Sequence, residues 1–169
     1  MPGSWLHLSS RFFGSLGARD LDDDELAMLI ELLSEPELEL FLGQSPLDRR
    51  HGYQAARFAS DAGAADEVVR AAALHDVAKR HARLGVFGRV VASVCIKLGL
   101  PVRGRFETYR DHGPIGAVEL AAAGAPQIAV TYARFHHEAP PPGVDVDIWA
   151  LLDAADAASE RSQTVRVDR

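Results

Sequence analysis

The sequence predicts an all-α fold on three observations: apolar residues recur at helical spacing, capping residues and prolines mark successive helix starts, and no stretch of strand length alternates polar with apolar residues. At 169 residues, 47% hydrophobic and 25% charged, the chain can bury one full apolar core. One body is therefore expected: residues 1–45 as an N-terminal helical extension packed on a core of 46–160, then 161–169 as a flexible tail with no helical apolar face. No internal repeat stands out.

The first helix is placed at about 22–34. Asp22 and Glu25 have capping-box spacing, Leu21 and Leu26 that of a hydrophobic staple, and Leu26, Leu29, Ile30 and Leu33 form one apolar face. Pro36 opens a short helix through Leu42, which Gly43 ends. Ser45-Pro46 caps a third helix carrying His51, Ala55, Phe58 and Ala59. After a turn at 61–64, residues 65–80 read as one helix with His75-Asp76 near its end. The stretch 84–105 is apolar and punctuated by Gly85, Gly88 and Gly99, and a helix is assigned over 87–98. Pro114 and Pro126 act as first-turn prolines for helices near 114–123 and 126–137. A proline loop at 140–143 leads into a last helix over about 145–160.

Charge and composition exclude several functions. Eighteen Lys plus Arg against 24 Asp plus Glu give −6, which opposes binding to a nucleic-acid backbone or an anionic membrane. The longest uncharged stretch, Leu120 to Ala133, is 14 residues, short of the roughly 20 needed to span a bilayer. Trp5 to Ser10 lacks the pattern of a secretory signal, so a cytoplasmic location is expected. The single Cys95 cannot form an internal disulfide and reads as a buried thiol.

Five of the seven histidines, His51, His75, His112, His136 and His137, interrupt otherwise helical, alanine-rich segments. His75 and Asp76, adjacent on a helix, lie about 100° apart around its axis, so one ion over the ridge between them can be reached by both. Their neighbours, from Ala71 to Ala78, are apolar, where a carboxylate is costly to bury unless a cation or donor compensates it. Asp156 lies in the similarly apolar last helix, with Asp153 as its rival one turn earlier.

Taken together, Asp-Arg-Arg-His51, Leu-His75-Asp76-Val-Ala-Lys79, His112-Gly-Pro-Ile-Gly-Ala, Phe-His136-His137-Glu and Ala-Ala-Asp156-Ala-Ala resemble the HD-domain superfamily of metal-dependent phosphohydrolases over about residues 46–160. The resemblance implies a helical bundle with the metal site in its core. It implies His51, His75, Asp76 and Asp156 as ligands of a first ion. His112, His136 and His137 resemble the extra histidines of two-metal members, with Asp76 bridging and catalytic. One or two divalent ions are expected, with Mn, Fe, Co, Zn, Ni and Mg not distinguished. Such a site attracts phosphoryl oxygens, and a cation can lower a water's pKa from 15.7 to about 7 for attack on phosphorus.

Lys79 resembles the family lysine that contacts substrate phosphate, against a simple helix C-terminal lysine. Arg49 and Arg50 are candidate phosphate clamps, against an exposed helix face. His81 is placed at the surface, His7 has no role, and Glu138 either orients a neighbouring histidine or is solvated. The apolar 84–98 stretch either caps the pocket, packs against Trp5, Phe12 and Phe13, or forms a partner surface.

The expected activity is hydrolysis of a phosphomonoester or phosphodiester of a nucleotide or related small phosphate. The alternatives are a non-enzymatic, metal-stabilised sensing or docking module and a di-iron oxygenase on the same scaffold. Homo-oligomer formation is left open.

Overall fold

The computed structural model describes residues 20–165, with side chains as far as Ser159. His7 and the proposed packing of Trp5, Phe12 and Phe13 lie outside the described residues. Among those described there is no strand, and no helix is long and apolar enough to cross a membrane.

The capping box forms as the spacing predicts. Asp22 accepts from the Glu25 amide at 3.0 Å, Glu25 accepts from the Asp22 amide at 2.9 Å, and helix α1 runs Asp23–Leu32. At the start of α2 (Glu35–Leu42) the Ser34 amide and hydroxyl both donate to the Glu37 carboxylate, at 2.9 and 2.7 Å. Glu37 is fully buried, and Arg70 neutralises it at 2.5 Å, which ties α2 to a helix 33 residues further on. Ser45 caps α3 (Pro46–Asp61), which packs on α4 (Asp66–Leu74).

Residues 65–80 do not form the single helix that alanine content predicts. Helix α4 stops at Leu74, a turn follows, and a four-residue helix α5 (Lys79–Ala82) comes after it. The Ala72 carbonyl, which a continuing helix would give to the Asp76 amide, accepts the His75 ring at 2.9 Å instead. Three-residue turns then take over, with the Val77 amide on Leu74 at 3.2 Å and the Lys79 amide on Asp76 at 3.0 Å. Propensity is the weaker force here.

Helix α6 spans Val86–Lys97, close to expectation. A further helix, α7 (Arg105–Arg110), was not anticipated; six residues are too few to show a period. Helices α8 (His112–Ala122) and α9 (Gln127–Phe135) follow, with Pro114 in the first turn of α8, while Pro126 caps α9 from outside rather than lying in its first turn. Helix α10 runs Val146–Val165, five residues into the stretch expected as tail, because adding residues to an existing helix is easier than starting one.

The main core lies among α3, α4, α9 and α10. Ala55, Ala56, Ala59, Ala72, Ala129 and Ala133 are buried there, and such small side chains let helix axes approach closely. A satellite cluster of Ala82, Ala92 and Tyr109, with Leu84, Ile96 and Phe106 against it, holds α5, α6 and α7 together. Arg89 of α6 reaches Asp48 of α3 at 2.7 Å and joins the two parts. Helix α6 is apolar yet buries only Ala92, and Phe87 is 71% exposed; Cys95 is half-buried rather than buried.

Candidate metal centre

Three imidazoles sit at the ends of helices, where the last carbonyls lack backbone partners. His75 follows α4 and His136 follows α9, and each places Nδ1 2.9 Å from the carbonyl three residues earlier, Ala72 and Ala133 respectively. His112, just past α7, reaches the Tyr109 carbonyl at 2.6 Å. A carbonyl only accepts, so each Nδ1 donates a proton and each Nε2 is left facing the centre. His51 lies within α3, and its Nδ1 meets Ser159 Oγ at 2.7 Å, whose hydroxyl donates to the Asp156 carbonyl at 2.7 Å. The same tautomer results.

All four Nε2 atoms converge on two carboxylates. His51 and His75 Nε2 are 3.3 Å apart; Asp156 Oδ1 lies 2.9 and 3.5 Å from them, and Asp76 Oδ2 lies 3.6 and 3.4 Å away. On the other side, His112 and His136 Nε2 are also 3.3 Å apart, with Asp76 Oδ1 at 3.1 and 3.5 Å. The two oxygens of Asp76 thus face one histidine pair each. The His137 ring stands 3.9 Å from that of His136 and 5.2 Å from that of His112, open to solvent.

This arrangement fits divalent ions. Donor atoms about 2.1 Å from one ion are separated by about 3.0 Å at adjacent octahedral positions and about 3.4 Å at tetrahedral ones. The separations above fall around those values. Asp76 Oδ1 is buried with no hydrogen-bond donor, a costly condition that a cation relieves. A proton can join only one pair of facing lone pairs at a time, whereas a cation satisfies the set.

Electrostatics agree. Burial disfavours charge on His75, but Asp76 and Asp156 outweigh it and lift its pKa to about 10. Burial also opposes ionisation of Asp76 and Asp156; Lys79 and His75 around the first, and His51 and His75 around the second, hold both below the ordinary carboxylate range. His136 is lowered by burial despite Asp76, and His137 falls to about 3 through burial and its histidine neighbours. Both are neutral at pH 7 and ready to donate lone pairs.

Lys79 contacts Asp76 Oδ2 and lines a cavity of about 490 Å³ that opens on the centre. It begins α5 rather than ending a longer helix. Asp153, the rival of Asp156, is exposed and accepts the Tyr132 hydroxyl at 3.2 Å instead. Arg49 and Arg50 are not at the centre, which corrects their reading as phosphate clamps. Arg49 holds Asp20 and the carbonyls of Leu42 and Gln44, while Arg50 holds Glu25 and the Asp20 carbonyl. Both fasten the N-terminal side of the chain to α3. His81 bonds Glu119 at 2.6 Å near the surface, and Glu138 is exposed.

Sequence reasoning missed Ser159 and Tyr132. Tyr132 packs its ring 5.8 Å from both His75 and His136, between the two histidine pairs. Neither residue carries a motif. The available signal was that Ser159 falls one helical turn after Asp156. Of residues 84–98, Ser93, Ile96 and Lys97 line the cavity, while the apolar Val86, Phe87, Val90, Val91, Val94 and Leu98 expected to cap it are not among its lining residues. Comparison of the chain with protein families, with curated proteins and with solved structures gives no match.

Proposed function

We propose that the chain is a divalent-metal-dependent phosphohydrolase of the HD type, acting on a phosphomonoester or phosphodiester of a nucleotide or related small phosphate. The observation that carries this reading is the placement of Asp76, with one oxygen toward each histidine pair, at the base of a cavity bearing Lys79. His51, His75, Asp76 and Asp156 would hold one ion, and His112, His136 and His137 with Asp76 a second. Bound there, such ions polarise a phosphoryl oxygen and bring a water's pKa to about 7.

The chain's own groups do the rest. Asp76 stays ionised, so both its oxygens remain acceptors, and the four fixed imidazoles need no reorientation during reaction. Lys79 supplies a fixed positive charge beside the phosphoryl oxygens. Water oxygen would bond to phosphorus as the ester P–O bond breaks, and the proton the water gives up would end on the leaving oxygen. Asp156, with 27% of its side chain exposed against 3% for Asp76, is the carboxylate at the cavity floor that a water can reach.

Full-length protein loaded with Mn²⁺ or Co²⁺ is expected to release phosphate from at least one member of a nucleotide and sugar-phosphate panel, and Asp76→Ala to abolish that release. Bound metal with inactivity across the panel refutes the reading. The non-enzymatic alternative draws on the exposed apolar residues Phe87, Leu98 and Leu100 of α6 and its exit, and predicts metal-dependent stability with no turnover.

A further inference from the structure

The two histidine pairs are built by the same device. Residues 51–76 and 112–137 align without a gap at an offset of 61, with nine identical positions. Four of the nine are alanine pairs in an alanine-rich chain and weigh little, so the argument rests on geometry. Gly63 and Gly124 both turn the chain at positive φ, 76° and 70°. Helices α4 and α9 each then run nine residues to a histidine, which bonds the carbonyl three residues back at 2.9 Å. Each of these histidines meets its partner, 24 residues earlier, at 3.3 Å.

Each partner histidine is followed by a glycine. A Cβ on Gly52 would lie 2.5 Å from the Ala73 carbonyl oxygen, and one on Gly113 would lie 2.8 Å from that of Ala133. Both glycines therefore allow the close helix approach that brings the rings together. The repeat, unseen in the linear reading, is a His-Gly helix hairpin used twice, with its copies meeting at Asp76.

The copies differ in charge. The first ends in Asp76 and gains Asp156; the second ends in His137 and, among the described residues, has only a share of Asp76. We infer that the duplicated hairpins take up divalent ions in order, the His51–His75 half first and tightly, the His112–His136 half second and exchangeably. This rests on the metal reading above. Affinity for a hard divalent cation follows the carboxylate charge around it, and His137 leaves the second half open to solvent.

Titrating the metal-stripped full chain with Mn²⁺ in a calorimeter tests this. Two binding steps at least tenfold apart are expected. His137→Gln, at an exposed position that spares the fold, should weaken only the second step, and His136→Gln should remove it. Two indistinguishable steps, or loss of the tight step in these variants, overturns the ordering while leaving the metal reading intact. No binding at all overturns both.

Discussion

Replacing Ser159 by alanine tests how the centre is held together, because Ser159 is not itself a ligand in the proposed scheme. Its hydroxyl accepts the His51 Nδ1 proton at 2.7 Å and donates to the Asp156 carbonyl at 2.7 Å, so one group fixes a histidine and the backbone of a carboxylate at once. In Ser159→Ala the buried ring nitrogen loses its acceptor, at a cost of about 1–3 kcal/mol, and the imidazole is released to turn or to change tautomer. Loss of such a supporting contact lowers metal affinity about 10- to 100-fold, equivalent to about 1.4–2.8 kcal/mol. Mn²⁺ titration of the metal-stripped chain reads the effect, with circular dichroism as the check on folding. Ser93→Ala, which removes a hydroxyl from the cavity wall, is the control and should leave metal affinity unaltered. A dissociation constant for Ser159→Ala within twofold of the wild type refutes the claim that His51 is oriented by this bond.

Saturation with Mn²⁺ at 100 times its dissociation constant should stabilise the fold by about 2.7 kcal/mol and raise Tm by about 5–11 °C in calorimetry; an unchanged Tm would mean no ion binds the folded chain. Without metal, His75 has a folded pKa of about 10 against an ordinary 6.5, so its contribution to stability is complete below pH 6.5, declines above it and is gone beyond pH 10. Asp76 and Asp156 are depressed, so theirs holds above about pH 4 and is lost on further acidification, and urea unfolding across pH should show a maximum between these limits. Metal binding at pH 7.5 must displace the His75 proton, so calorimetry in buffers of different ionisation enthalpy should register about one proton released in the first step. Gly52→Ala places a methyl 2.5 Å from the Ala73 carbonyl oxygen and 3.0 Å from the Phe41 ring, forcing α3 from α4. It should cost about 1–3 kcal/mol in chemical unfolding and weaken metal binding, since His51 and His75 part.

The helix starts were legible because their causes are local. Asp22 with Glu25, and Ser45 before Pro46, are capping chemistry readable without tertiary context. The end of α4 was not, because the bond from His75 to the Ala72 carbonyl competes with a helix that alanine content favours, and only the assembled centre makes it win. The seven histidines and aspartates singled out in the sequence come together, since each interrupts an apolar segment where a polar group needs a partner. Arg49 and Arg50 misled because a basic pair before a histidine looks the same in sequence whether it faces a phosphate or Asp20 and Glu25. The repeat escaped notice because its trace in the sequence is five scattered identities beyond alanine, two histidines, two glycines and a valine, whose meaning lies in a backbone angle, a carbonyl bond and a clearance beside two glycines.

The satellite cluster of Ala82, Ala92 and Tyr109 stands apart from the principal core and carries the cavity wall, while the carboxylates and imidazoles hang from the principal core. In the proposed scheme, the residues that would receive a ligand and those that would hold metal are thus set by separately packed layers. Amino-acid changes along α6 would then retune ligand preference at little cost to the metal-holding groups, so that one chemistry is open to several ligands.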